Sequence, residues 1–163
     1  MIALIAVLLA APPVPVTQRG AWLEMQAGPQ VLFRDRRAGV GPEVRLDLGL
    51  GFSERLAAEV WLSGAFDPAP LPTPDDRSRI GAGVAARARL FQLDSEGKLM
   101  LWGRAGVGYA FATPDGSGPV GFAGPQLLFQ PFVKRFALGL EVDAVANRSG
   151  FGFALLPSLR CAL

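Results

Sequence analysis

From Ala21 to Leu163, apolar side chains alternate with polar or small ones in eight runs, separated by turn-like segments. A period of two is the strand period, because successive side chains point to opposite faces. The runs are 21–33, 40–52, 55–66, 79–90, 99–112, 120–132, 136–146 and 151–163. In the second, Val40, Val44, Leu46, Leu48, Leu50 and Phe52 alternate with Gly41, Glu43, Arg45, Asp47, Gly49 and Gly51. The sixth is the least regular: Phe122 and Leu128 fall in phase with its polar positions. One phase is almost wholly Leu, Val, Ala and Phe, and the other carries charges, amides and glycines. That pattern predicts an all-β fold, an eight-stranded antiparallel up-and-down transmembrane β-barrel with lipid outside and a polar interior, filling 18–163 as one domain.

The same alternation would serve a soluble periplasmic, lipocalin-like ligand-binding barrel if the apolar phase faced inward. The small residues of the polar phase favour the first arrangement, since they suit a narrow eight-stranded interior and make a poor solvent surface. Phe33, Phe52, Phe66, Tyr109, Phe111, Phe136 and Phe151 lie near strand ends, where aromatic girdles meet the two membrane interfaces. The connections also differ in length. Those at 53–54, 94–97 and 133–135 are tight, while 67–78 and 113–119 are longer and rich in turn formers. Short periplasmic turns and longer outer loops would place 34–39, 67–78, 113–119 and 147–150 outside the cell.

Composition narrows the choice of environment. Half of the residues are hydrophobic and mean hydropathy is +0.31. Beyond the N-terminus, however, no apolar run reaches the roughly 18–20 residues of a spanning helix. Residues 1–11 are apolar and 12–16 Pro-rich, which reads as a signal peptide over 1–17 with the mature chain starting near Gln18. The net charge of +2 is small and the basic residues are dispersed, so nucleic acid is not an expected partner. There is no histidine, which removes the usual general base and the commonest metal ligand. Cys161 is the one cysteine and reads as a small lipid-facing filler. No metal or cofactor is expected: Gly103–Gly108 lacks the Lys-Ser/Thr that would make it a phosphate loop.

In alternation, loop asymmetry and aromatic strand ends, residues 21–163 resemble the small eight-stranded outer-membrane barrels of Gram-negative bacteria, the membrane domain of outer membrane protein A among them. The resemblance implies an outer-membrane location, lipid and the barrel assembly machinery as partners, and a monomer. Those barrels commonly end in an aromatic residue that the machinery reads. This chain ends Leu159-Arg160-Cys161-Ala162-Leu163, which keeps the alternation and lacks the aromatic.

Two constellations remain. The polar phase holds Glu24, Glu43, Asp47, Glu59, Glu141 and Asp143 against Arg45, Arg87, Arg89, Arg104 and Arg160. Buried together they must pair, either as a structural network plugging the barrel or as a narrow ion path gated by rearranging pairs. The second constellation is a repeat. Ala27-Gly28-Pro29-Gln30-Val31-Leu32-Phe33 recurs as Ala123-Gly124-Pro125-Gln126-Leu127-Leu128-Phe129, with a shorter relative at Gly41-Pro42-Glu43-Val44. Proline takes a donor from a sheet ladder, so Pro29, Pro42 and Pro125 mark either rim-shaping bulges or a lateral seam that admits an apolar ligand. The expected function is non-enzymatic, structural or surface-exposed. The alternative is a narrow transporter or binder of small apolar molecules.

Overall fold

The computed structural model describes residues 20–34, 37–67, 77–113, 116–131, 135–148 and 150–163. The expected signal peptide and most of the 67–78 connection lie outside them. Eight strands follow in chain order: β1 Gly20–Arg34, β2 Arg37–Gly51, β3 Leu56–Asp67, β4 Arg77–Gln92, β5 Leu99–Thr113, β6 Gly118–Phe129, β7 Phe136–Asn147 and β8 Gly150–Ala162. Each pairs antiparallel with the next, and β8 pairs back onto β1 to close the barrel. The strands run a few residues beyond the alternating segments at several ends, because hairpin pairs such as Arg34↔Arg37 and Asp67↔Arg77 continue the ladder where the hydrophobic pattern has stopped.

The two phases face as an inside-out barrel requires. On β2, Leu46 and Leu48 are 43% and 49% exposed, while Asp47 between them is fully buried. Most Leu, Val, Ile and Phe side chains of the strands cover the outside, and most of the charged side chains of the strands fill the lumen. A soluble barrel would have these faces exchanged.

Lumen glycines are explained by the rings that lie on them. Trp22 pairs with Gly49 across β1–β2, Trp61 with Gly83 across β3–β4, and Phe122 with Gly106 across β5–β6. A Cβ at Gly49 or Gly106 would run into the Trp22 or Phe122 ring, and one at Gly83 or Gly108 would strike the opposing backbone carbonyl and then the Trp61 ring. A narrow barrel that buries aromatics therefore needs a residue without a side chain directly opposite each. Phe122 and Leu128, out of phase with an all-polar lumen, point inward and are 6% and 0% exposed.

The outer wall has its own pattern. Ala58, Ala86, Ala105, Ala123 and Ala144 are successive cross-strand partners from β3 to β7, between Leu50 on β2 and Phe153 on β8. At the turn end, Asp94 closes the β4–β5 connection by accepting from the backbone N–H of Lys98 at 3.0 Å and Leu99 at 2.9 Å. Gly97 takes the positive φ that this turn needs.

Candidate functional site

All eight strands contribute to one layer of polar side chains in the lumen. Arg104 on β5 sits at its centre. Its Nη2 lies 2.6 Å from Asp47 Oδ1, its Nη1 2.7 Å from Glu141 Oε1, and its Nε donates to Glu59. Arg45 on β2 spans the lumen to β7, with Nη1 3.0 Å from Glu141 Oε1 and 2.7 Å from Asp143 Oδ2. Its Nη2 holds Glu43 Oε1 at 2.9 Å. Arg87 on β4 reaches Glu24 Oε2 at 2.8 Å and Glu59 Oε2 at 2.7 Å. Arg160 on β8 meets Glu24 Oε2 at 3.0 Å across the closing β8–β1 junction.

Amides link the ion pairs. Gln126 on β6 donates to Glu24 Oε1 at 2.7 Å and accepts from Arg87 at 2.6 Å and Arg160 at 3.2 Å. Gln26 donates to Glu141 at 3.2 Å. Rings complete the packing: Arg45 and Arg104 lie over the Phe122 ring, at 4.1 and 4.8 Å from its centroid. Arg87 and Arg160 lie over the Trp22 ring at 4.5 and 4.3 Å. Each guanidinium thus spends its edge on carboxylates and its face on an aromatic.

Apolar layers bound this polar one on both sides. Toward the end bearing the β2–β3, β4–β5 and β6–β7 connections, Met100, Trp102, Leu128 and Ala137 form a buried cluster. On the other side Ala110, Val120, Val145 and Ala154 cluster with Trp61, Phe122 and Leu156. The charge layer therefore lies between two buried apolar clusters.

Of the sequence-selected charges, Glu24, Glu43, Arg45, Asp47, Glu59, Arg87, Arg104, Glu141, Asp143 and Arg160 meet in this layer. Arg89 does not. The β4–β5 register shifts between Arg89 and Phe91, and the Arg89 side chain is 18% exposed, 3.9 Å from Glu54. Arg89 keeps the inward phase, paired with buried Trp102, and the bulge follows it at Leu90. It stands apart from the layer because it lies one inward position nearer the turn end than Arg87, level with the apolar cluster that bounds the layer. Three contributors were hidden because they are uncharged or sit higher in the barrel. Gln26 and Gln126 carry hydrogen bonds of the network, and Arg79 binds Gln30 Oε1 at 2.8 Å nearer the opposite end. Among the described residues, no group of three or more His, Cys, Asp or Glu side chains could hold a metal ion.

The prolines fall on ladder interruptions, two of them internal. The β1–β8 pairing stops after Gln26↔Ser158 and resumes at Gln30↔Ala154, leaving Pro29 opposite Leu155 and Pro157 opposite Ala27. The β6–β7 pairing stops after Ala123↔Ala144 and resumes at Gln126↔Glu141, leaving Pro125 opposite Val142. Pro42 behaves differently. It is paired with Pro29 across β1–β2 and lies just past Glu43↔Ala65, where the β2–β3 ladder ends. It therefore terminates a ladder and leaves no internal gap.

No protein-family model matches the chain, and no curated protein matches it. Solved structures do. Neisserial surface protein A aligns with a TM-score of 0.71 at 10% identity, over 88% of this chain and 97% of that one. The fold is that of the small eight-stranded outer-membrane barrels. Ail, the attachment invasion locus protein of Yersinia pestis, aligns at 0.56 and 13% identity, over 88% and 99% of the two chains. The outer membrane enzyme PagL aligns at 0.52 and 10% identity, over 85% and 99%.

Proposed function

We propose that this chain is a non-enzymatic, non-conducting integral barrel of the Gram-negative outer membrane, with a structural role and contact surfaces limited to short connections. The observation that carries the reading is the enclosed charge layer. Six carboxylates and their arginines fill the lumen and are capped by apolar side chains toward both ends, while Leu, Val and Phe cover the outside. Such an exterior suits hydrocarbon, and such an interior leaves no water column.

The fold alone is neutral on catalysis, since one of its neighbours is an enzyme. The residues speak against it here. The chain has no histidine, and the lumen carboxylates are taken up by arginine pairs. The surrounding partner is lipid, and insertion would fall to the barrel assembly machinery.

The test is gel mobility of detergent-folded protein, boiled against unboiled, followed by conductance in a planar bilayer. A heat-dependent shift with no steady conductance is expected. Solubility without detergent and no shift would overturn the membrane reading; stepwise currents would revive the gated ion path. A second reading, a binder of small apolar molecules, is favoured by the interrupted ladders beside Pro29 and Pro125. A melting shift on adding such molecules would support it.

A further inference from the structure

The two internal ladder gaps border the same hairpin. In barrel order β6, β7, β8 and β1 are consecutive, so the gap at Pro125 lies on one side of β7–β8 and the gap at Pro29 and Pro157 on the other. Pro29 and Pro42 are ladder partners across β1–β2, and neither has an N–H. That pairing therefore uses neighbouring donors, and the nitrogen of Pro29 faces β8. By the same alternation the nitrogen of Pro157 faces β1 and that of Pro125 faces β7. Three backbone donors are thus missing from the two edges of one hairpin.

The carbonyls left behind find a weaker partner. A Cβ on Gly28 would strike the Leu155 carbonyl oxygen, and one on Gly124 the Val142 carbonyl oxygen. Glycine lets the Cα approach these carbonyls in a Cα–H···O contact, as it also does at Gly83 and Gly108 in the continuous β4–β5 ladder. Beside Pro29 and Pro125 that contact stands without the N–H that a residue other than proline would add. The Gly-Pro step of the repeated motif builds the same joint twice.

Charges hold the hairpin from within. Asp143 and Glu141 on β7 are bound by Arg45, and Glu141 also by Arg104. Arg160 on β8 is bound by Glu24 on β1 and Gln126 on β6. No comparable gap occurs in the main run of β4–β5, whose pairing is continuous from Ser78↔Thr113 to Arg89↔Trp102.

We infer that β7–β8 is a lateral gate in the wall: a hairpin with weakened edges, latched from inside by Arg45 and by the Arg160–Glu24 pair. Opening it would carry Asp143 and Glu141 toward hydrocarbon, so the latch also supplies the restoring force. This goes beyond the structural reading and depends on the barrel being folded, which the gel shift establishes on the same sample.

Hydrogen exchange of the full chain folded in detergent micelles tests it. Peptides covering 136–162 should exchange together, on the order of tenfold faster than those of β4–β5, the factor set by roughly one hydrogen bond's net contribution. Pro29→Val with Pro125→Val, both on the outer face, restores two donors and should slow that exchange toward the β4–β5 rate. Arg45→Met should speed exchange in β7–β8 while leaving β4–β5 unchanged. Equal protection of the two hairpins in the natural sequence would overturn the gate. So would a proline double variant that slows exchange uniformly or nowhere. If Arg45→Met does not fold, those two comparisons decide the matter.

Discussion

Val142 and Leu155 are direct partners across β7–β8, and their carbonyl oxygens leave the hairpin in opposite directions, one against Gly124 of β6 and the other against Gly28 of β1. One level of the wall thus holds two close backbone approaches on either side of a single residue pair. Neither approach leaves room for a methyl group, and the obstacle in each case is backbone that cannot rotate aside.

Gly28→Ala and Gly124→Ala should therefore each destabilise the barrel, by about 1–3 kcal/mol from overpacking. Gly64 is the control. A Cβ there meets nothing within 4 Å, so Gly64→Ala should be neutral or stabilising by a few tenths to about 1 kcal/mol. Urea midpoints in micelles would check all three. Equal effects at the three sites would contradict the packing account.

Arg104 holds three carboxylates, Asp47, Glu59 and Glu141, all fully or nearly fully buried. Arg104→Met keeps most of the volume and leaves three acids short of a partner. A loss of about 3–5 kcal/mol is expected, the usual cost of breaking a buried pair from one side. Adding Glu141→Gln should recover part of it, because one stranded charge is removed. A double variant worse than the single would mean the acids find other partners.

Trp61 lies over Gly81, Gly83 and Gly108 and donates from its indole to the Val84 carbonyl at 3.3 Å. No side chain from those glycines can refill the space it vacates. Trp61→Ala is expected to cost about 3–5 kcal/mol, and Trp61→Phe distinctly less, as read by thermal loss of the heat-modifiable form.

Asp94 is the titrating group of the β4–β5 turn. Slight burial pushes its carboxyl up, but backbone N–H groups of Leu99 and Lys98 more than offset this and hold it below the usual carboxylate range. A depressed folded value means that its contribution is present above about pH 4, the ordinary aspartate range, and is lost as pH falls through the lowered folded value. Amide exchange at Lys98 and Leu99 should accelerate on acidification, and Asp94→Asn should flatten that dependence. An unchanged profile in the variant would exclude the carboxylate as the cause.

What the sequence revealed, and what it hid, follows from which information is local. Strand positions and faces were legible because a period of two needs only near neighbours, and Leu48 beside Asp47 shows how cleanly the faces separate. The alternation puts Arg89 on the right face but says nothing of its level: it stands beside Trp102 at the turn end, within 3.9 Å of Glu54 and away from the carboxylates of the layer. Phe122 stands out of phase in the sequence, yet its place under Arg45 and Arg104 depends on strands far away in the chain. The Pro29 and Pro125 motif was visible as a repeat. That both copies flank one hairpin, with Pro157 completing the second gap, emerges only from the pairing register.

The lumen network has one more consequence, for assembly. Every strand brings at least one member to it, and partners match only in one set of registers. If a strand slipped by one residue, its charged side chains would turn into hydrocarbon; if by two, its arginine or carboxylate would miss its partner. A wall of Leu, Val and Ala tolerates many alignments almost equally. The charges inside act as a checksum on closure, accepting a single alignment of all eight strands.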